Sequence, residues 1–270
     1  MEAGEYYARM STEYFDETFG EVLTSRSFDR KIRTEAVLRM VNRYIEKPSV
    51  IADLGCGPAQ YARPLIRQGH KYLGIDITRQ MFRHVAAAQE SLPAVSFVEG
   101  TVENIPLENE SMDAALLVGV LEYLPSDDTT LREVYRILKF SGIVILTIPN
   151  LLNPVHALRA VTRPLLAPLI RGLMPRSWFS RTVYASPLIY RVLAPTRLVR
   201  KAQKLGFKLL DTHSHGYSFY PFNRSLSRIQ IQRRLAWEEI GRRYQPNLAS
   251  NFIVVLRKPW SIKPSCRRSS

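Results

Sequence analysis

The stretch VIADLGCGPAQY, residues 50–61, restricts this chain more than any other part of it. Val50, Ile51 and Ala52 make a short apolar run that ends in an acid, Asp53. Gly55 and Gly57 follow, and Pro58 stands where its fixed φ suits the first turn of a helix. The pattern predicts a buried strand, a tight glycine loop and a helix over 58–68 that Gly69 ends. Such a unit builds a crevice at the carboxyl edge of an open α/β sheet, where these folds bind ligands. A side chain on the loop would fill the ligand's space, hence the glycines.

Alone, D-x-G-x-G fits any nucleotide-like ligand, and also an ordinary strand-to-helix turn. The next apolar run, KYLGI at 71–75, narrows the choice because it ends in Asp76, 23 residues after Asp53. A carboxylate at the tip of the neighbouring strand accepts hydrogen bonds from both hydroxyls of a ribose. Dinucleotide sites want G-x-G-x-x-G, with a helix N-terminus facing a pyrophosphate. Here the third glycine is missing and Pro58 removes an amide donor. Asp53 would repel phosphate and attract an ammonium or sulfonium group. At these residues the chain resembles the class I S-adenosylmethionine-dependent methyltransferases. The likeness continues through LGIDIT (73–78), FVEGTVENIPLENESMDAALLVGVLEYL (97–124) and REVYRILKFSGIVILTIPN (132–150). It is close over roughly residues 30–150 and looser in LGFKLLDTHS and SNFIVVLRKP.

The resemblance implies a Rossmann-like α/β fold. Its sheet has seven strands, mostly parallel with the last antiparallel, and helices on both faces. It implies S-adenosyl-L-methionine as cofactor, held by Asp53, Gly55, Cys56 and Gly57 at the first loop and by Asp76 and Ile77 at the second. Thr101 and Val102 would flank the adenine, and Val118 and Gly119 would face the methionine part. The family stretch usually written G-D-A-E reads Gly100-Thr101-Val102-Glu103 here. A hydroxyl at Thr101 accepts a hydrogen bond more weakly than a carboxylate. Tyr123 stands where many relatives carry histidine, so a histidine base at that place is excluded.

Charge divides the chain. Residues 1–150 carry 16 Lys+Arg and 21 Asp+Glu, whereas 151–270 carry 22 and 3. A basic half suggests an anionic partner: lipid headgroups, a phosphorylated substrate or nucleic acid. Two cysteines imply no disulfide framework, and no metal site is indicated. The N-terminus lacks an apolar signal-peptide core, so the expected compartment is the cytoplasm, with peripheral membrane contact as an extension.

Residues 1–26, with Tyr6, Tyr7, Tyr14 and Phe15, are expected to form a capping segment, and 27–258 the methyltransferase domain. Helices are expected over 27–45, 79–90, 127–138 and 196–205, and strands at 95–98, 113–118 and 251–257. His70 and His84 are read as surface residues. After the fifth strand lies an insertion, 151–195, rich in Leu, Pro and Arg and devoid of acids. On a helical wheel His156, Arg159 and Arg163 share a face opposite Leu151, Leu158 and Leu165. Its apolar runs are shorter than the ~20 residues that span a bilayer, so it is expected to act as a helical acceptor lid that can touch an anionic membrane. A helix over 224–244 is expected to turn Leu226, Ile229, Ala236, Ile240 and Tyr244 inward, with Arg233, Arg234, Arg242 and Arg243 outward. The tail 259–270 is expected to be disordered and basic.

The expected reaction is methyl transfer to a small-molecule or lipid-linked acceptor, most plausibly an oxygen. His156, His213 and His215 are the candidate bases. Two other readings compete: an RNA-modifying methyltransferase, disfavoured because V-G-V-L-E-Y replaces an N-P-P-Y-type motif, and a non-catalytic cofactor-binding partner protein.

Overall fold

Seven strands form one sheet in the order β3-β2-β1-β4-β5-β7-β6. They are β1 (Val50–Leu54), β2 (Lys71–Asp76), β3 (Val95–Glu99), β4 (Met112–Leu117), β5 (Leu138–Pro149), β6 (Lys208–His215) and β7 (Asn251–Arg257). β1 to β5 pair in parallel, and β7 runs antiparallel between β5 and β6, as the resemblance implied. The computed structural model describes residues 3–20, 23–83, 94–154, 156–157, 173, 190–217 and 225–260. His84, most of the 151–195 insertion and the tail from 261 lie outside the described residues.

Six helices accompany the sheet among the described residues: α1 (Ala3–Phe19), α2 (Ser25–Tyr44), α3 (Ala62–Arg67), α4 (Asp128–Ile137), α5 (Pro195–Lys204) and α6 (Arg228–Tyr244). Residues 79–83 are also helical. Side chains alternate across a strand, so each strand feeds two cores. Ala52, Leu54, Ala115 and Leu117 face Leu131, Val134 and Ile137 of α4 and Leu198 and Ala202 of α5. Ile51, Ala114 and Leu116 face Ala36, Val37 and Val41 of α2 and Leu65 of α3.

Three expectations need correction. The helix after β1, α3, begins at Ala62 rather than 58, because residues 57–61 form turns and Ala59 takes a φ of 54°. His70 is buried, 1% exposed, at the entry to β2. α6 is turned the other way round. Ile229, Ala236, Ile240 and Tyr244 are exposed, and Arg234 points back to Ser25 and lies over the Phe28 ring of α2.

Candidate active site

The strand order turns between β1 and β4, and the crevice opens at their carboxyl ends. Gly55 and Gly57 take φ of 72° and 53°, torsions that side chains disfavour. A Cβ on Gly55 would also stand 2.4 Å from Val120 Cγ2, so space and torsion both require glycine there. The Gly55 and Cys56 amides donate to the Ile75 carbonyl at 2.7 and 2.9 Å. The Gly57 amide donates to Asp76 Oδ2 at 2.8 Å, and the Thr78 amide to Oδ1 at 3.3 Å. The loop after β1 is thereby tied to the tip of β2. Burial pushes the Asp76 carboxyl up to about 6, against the pull of those amides.

Asp53 lies beneath this loop. The Tyr72 hydroxyl donates to its Oδ2 at 2.6 Å, and burial raises the acid to about 7. Cys56 turns its thiol into the core under β2, where burial lifts it well above the usual range, so the loop presents its backbone. Ile77 stays 41% exposed at the rim. α1 passes over it: a Cβ on Gly4 would be 3.9 Å from Ile77 Cγ1. Thr101 bridges to Asn104, and Val102 beside it is buried.

On the other wall Val118 is buried, and the Gly119 amide, at φ 72°, donates to Thr147 Oγ1 at 2.9 Å. A Cβ on Gly119 would sit 3.0 Å from Nη1 of Arg33, which reaches across from α2. Charge and shape therefore suit S-adenosylmethionine. The crevice offers a carboxylate for a ribose diol, open glycine backbone, and a cation placed for an amino-acid carboxylate.

Beyond Gly119 the site becomes aromatic. Tyr7 of α1 meets Tyr123 edge-on at 6.1 Å, Tyr123 meets Tyr190 at 5.8 Å, and Tyr190 meets His156 at 6.4 Å. Burial raises the Tyr7 and Tyr123 hydroxyls, with Glu122 adding to both shifts, so both rings remain neutral. Glu122 is 5% exposed, and among the described residues its Oε2 has no hydrogen-bond partner. Burial pushes it up to about 7, and Arg33 and Arg191 pull it back only in part. Arg191 straps the returning chain to this loop by donating to the Asp127 carboxylate and the Leu121 carbonyl, each at 2.8 Å.

The three candidate histidines separate. His156 is buried beside Tyr190, with Nδ1 3.2 Å from the Asn150 carbonyl. That contact requires the proton on Nδ1 and leaves Nε2 as the basic nitrogen. His215 ends β6 and is buried, and its Nε2 has no hydrogen-bond partner among the described residues. Burial, with Arg33 adding to it, lowers it to about 3 and keeps it neutral. His213 is half-buried, lowered first by burial and then by Arg39 and Arg242, and belongs to the outer part of β6. Sequence reasoning missed Arg33 and Glu122. An acid within the apolar run VGVLEYL was a signal for Glu122, whereas Arg33 is one of several arginines on α2 and gave none.

Residues 52–146 match a family model described as a methyltransferase domain. Over 99 residues the chain is 32% identical to phthiotriol/phenolphthiotriol dimycocerosates methyltransferase 1 of Mycobacterium ulcerans, which covers 36% of each chain. Over 195 residues it is 25% identical to ubiquinone/menaquinone biosynthesis C-methyltransferase UbiE of Campylobacter jejuni, 68% of this chain and 81% of that one. The chain spans under half the length of the first curated relatives it matches, 47% and 36%. Among solved structures, an S-adenosylmethionine-dependent methyltransferase of Thermotoga maritima, described as a possible histamine N-methyltransferase, superposes with a TM-score of 0.59. Identity there is 18%, over 94% of this chain and 99% of that one, a likeness of fold. Sheet order and matched segment agree: residues 52–146 match the methyltransferase domain family, set in the fold of the class I S-adenosylmethionine-dependent methyltransferases.

Proposed function

We propose that the chain methylates a hydroxyl oxygen on a small-molecule or lipid-linked acceptor, with Glu122 taking the acceptor's proton. The observation that carries this is Glu122 itself, a buried carboxylate with an unpartnered oxygen, three residues beyond Gly119 and walled by tyrosines. When bound, S-adenosylmethionine supplies a methyl already activated on a sulfonium. In this reading Asp76 accepts from the ribose hydroxyls, with Ile77, Thr101 and Val102 beside the adenine. Gly55, Cys56 and Gly57 lend backbone, and Arg33 pairs with the methionine carboxylate at Gly119. Asp53 holds the loop from below through Tyr72.

What remains is to hold the acceptor, exclude water and remove one proton. Half-buried Tyr7 and Tyr123 do the excluding, with Tyr190 at the outer edge. Glu122, raised to about 7, is matched to proton transfer near neutral pH. His156 is the alternative base on the same wall, and His215, buried at the end of β6, stays neutral. The names of the mycobacterial and Campylobacter relatives, a phthiotriol/phenolphthiotriol dimycocerosates methyltransferase and a ubiquinone/menaquinone biosynthesis C-methyltransferase, support an apolar acceptor here, and the choice of oxygen rests on Glu122.

The test is transfer from methyl-labelled S-adenosylmethionine to a panel of phenols, hydroxylated quinones and extracted lipids, with products identified by NMR. A labelled methyl ether, lost about 100- to 10,000-fold in rate in Glu122→Gln, is the expected result. A methyl on ring carbon would overturn the choice of oxygen. Cofactor binding without transfer to any acceptor would make this a non-catalytic partner protein.

A further inference from the structure

β6 and β7 are antiparallel neighbours, which a two-residue hairpin could join. Residues 216–250 join them instead, and α6 fills half of that connection. The helix is firmly seated. Ser227 and Gln230 form a capping box at its start. Glu238 accepts the Gly216 and Tyr217 amides at 2.9 and 2.7 Å, and Gly241 lets the Tyr217 ring approach, since a Cβ there would meet Tyr217 Cγ at 2.3 Å. The seated face is therefore polar and small, and the apolar residues are left outside.

Ile229, Trp237, Ile240 and Tyr244 are 63%, 62%, 48% and 64% exposed. At 3.6 residues per turn they fall within an arc of about 80°, with Arg233 inside it. Arg228 and Arg243 are exposed on the flank. The one exposed acid of α6, Glu239, is paired with Arg242. Leu248, 43% exposed in the turn after the helix, extends the patch. We infer that the outer face of α6 is a docking surface for an anionic lipid bilayer, into whose headgroup layer Ile229, Trp237, Ile240 and Tyr244 insert while Arg228, Arg233 and Arg243 meet lipid phosphates.

Charge decides the occupant. Ile and Trp beside unneutralised arginines suit the boundary between acyl chains and anionic headgroups, where apolar burial and electrostatic attraction act together. A second copy on the same two-fold patch would set the arginine rows of both chains against each other. The placement also serves the crevice. The inner face of α6 lies on α2 through Arg234 over Phe28, and burial first and Glu238 second raise the carboxyl of Asp29, one turn before Arg33. The inference does not depend on which atom is methylated.

The test is flotation of the full chain with vesicles of phosphatidylcholine and phosphatidylglycerol, against vesicles of phosphatidylcholine alone. Binding to the anionic vesicles is expected, with a blue shift of tryptophan fluorescence that Trp237→Phe reduces. Each arginine near an anionic surface is worth about fivefold, so Arg233→Gln/Arg243→Gln is expected to weaken partitioning about 30-fold. Trp237→Ser/Ile240→Ser is expected to abolish it. Both pairs are exposed, so the thermal midpoint should hold. Binding by the wild type that ignores both pairs, or equal binding to neutral vesicles, overturns the inference. So does no vesicle binding at all, whether α6 proves instead to bind RNA or to dimerise, which sedimentation would show as a dimer lost in the Trp237→Ser/Ile240→Ser variant.

Discussion

Asp76 does two jobs, and two substitutions separate them. Its Oδ2 accepts the Gly57 amide at 2.8 Å and its Oδ1 the Thr78 amide at 3.3 Å, so the carboxylate shapes the glycine loop before any ligand arrives. The second job, in our reading, is to accept two ribose hydroxyls. Asp76→Asn keeps an oxygen for Gly57 but loses the charge and one acceptor. Losing a charge-assisted bidentate contact costs roughly 2–3 kcal/mol, or about 30- to 150-fold in affinity for S-adenosylmethionine. Asp76→Ala loses that and also leaves the Gly57 amide without a partner, a further cost of about 1–3 kcal/mol that falls on folding stability. Calorimetry should show both variants weakened by a similar factor, while thermal unfolding should single out Asp76→Ala. A pH series gives an independent check. The free carboxyl is raised to about 6, and a ligand that donates to it needs it ionised. Wild-type affinity should then fall about tenfold per unit below pH 6, and Asp76→Asn should be flat there. Wild-type-like binding by Asp76→Asn, or a wild-type affinity indifferent to pH between 4 and 6, would refute the assignment.

Three further outcomes follow from the same site. Glu122 is raised from 4.5 to about 7, so between those values the folded chain keeps a proton the unfolded chain has lost, and stability falls as pH rises through that window. Glu122→Gln should therefore raise folding stability at pH 8, by on the order of 3 kcal/mol at most and seen as a higher thermal midpoint, and leave it unchanged at pH 4, while turnover loses its acidic limb near 7. Gly55→Ala should abolish cofactor binding by calorimetry. Gly55→Ala/Val120→Ala removes the 2.4 Å clash and should recover part of the affinity, short of wild type because φ 72° still strains alanine. Tyr72→Phe removes the 2.6 Å donor to Asp53 and should lower stability in urea by about 1–3 kcal/mol, more at pH 8 than at pH 5, since losing that donor raises the acid further.

The first half of the fold was legible because its signals are local. A glycine loop between an apolar strand and an acid leaves few backbone solutions, and Asp76 at the end of the next strand repeats the message one strand away. Glu122 was half legible, as an acid in an apolar run, but its role depends on the tyrosines of α1 and on Tyr190, which sit more than 60 residues from it in either direction. Arg33 was illegible. Only the packing of α2 against the end of β4 selects it from its neighbours, and no spacing rule encodes that contact.

The α6 error shows the limit of periodicity more sharply. The pattern Ile229, Ile240, Tyr244 does place those residues on one face, and the structure keeps them there. Periodicity says which residues share a face and is silent on what that face meets. Here the seat was decided by requirements outside the helix. The turn after β6 leaves two amides at Gly216 and Tyr217 that need an acceptor, and Glu238 satisfies both. The ring of Tyr217 needs the gap at Gly241, and Phe28 takes Arg234 across its face. Leaving two buried amides unpaired would cost about 2–6 kcal/mol, comparable to the 1.5–3 kcal/mol gained by burying each of two apolar side chains. The helix therefore turns toward its polar partners at little net cost, and the apolar stripe stays exposed among the described residues.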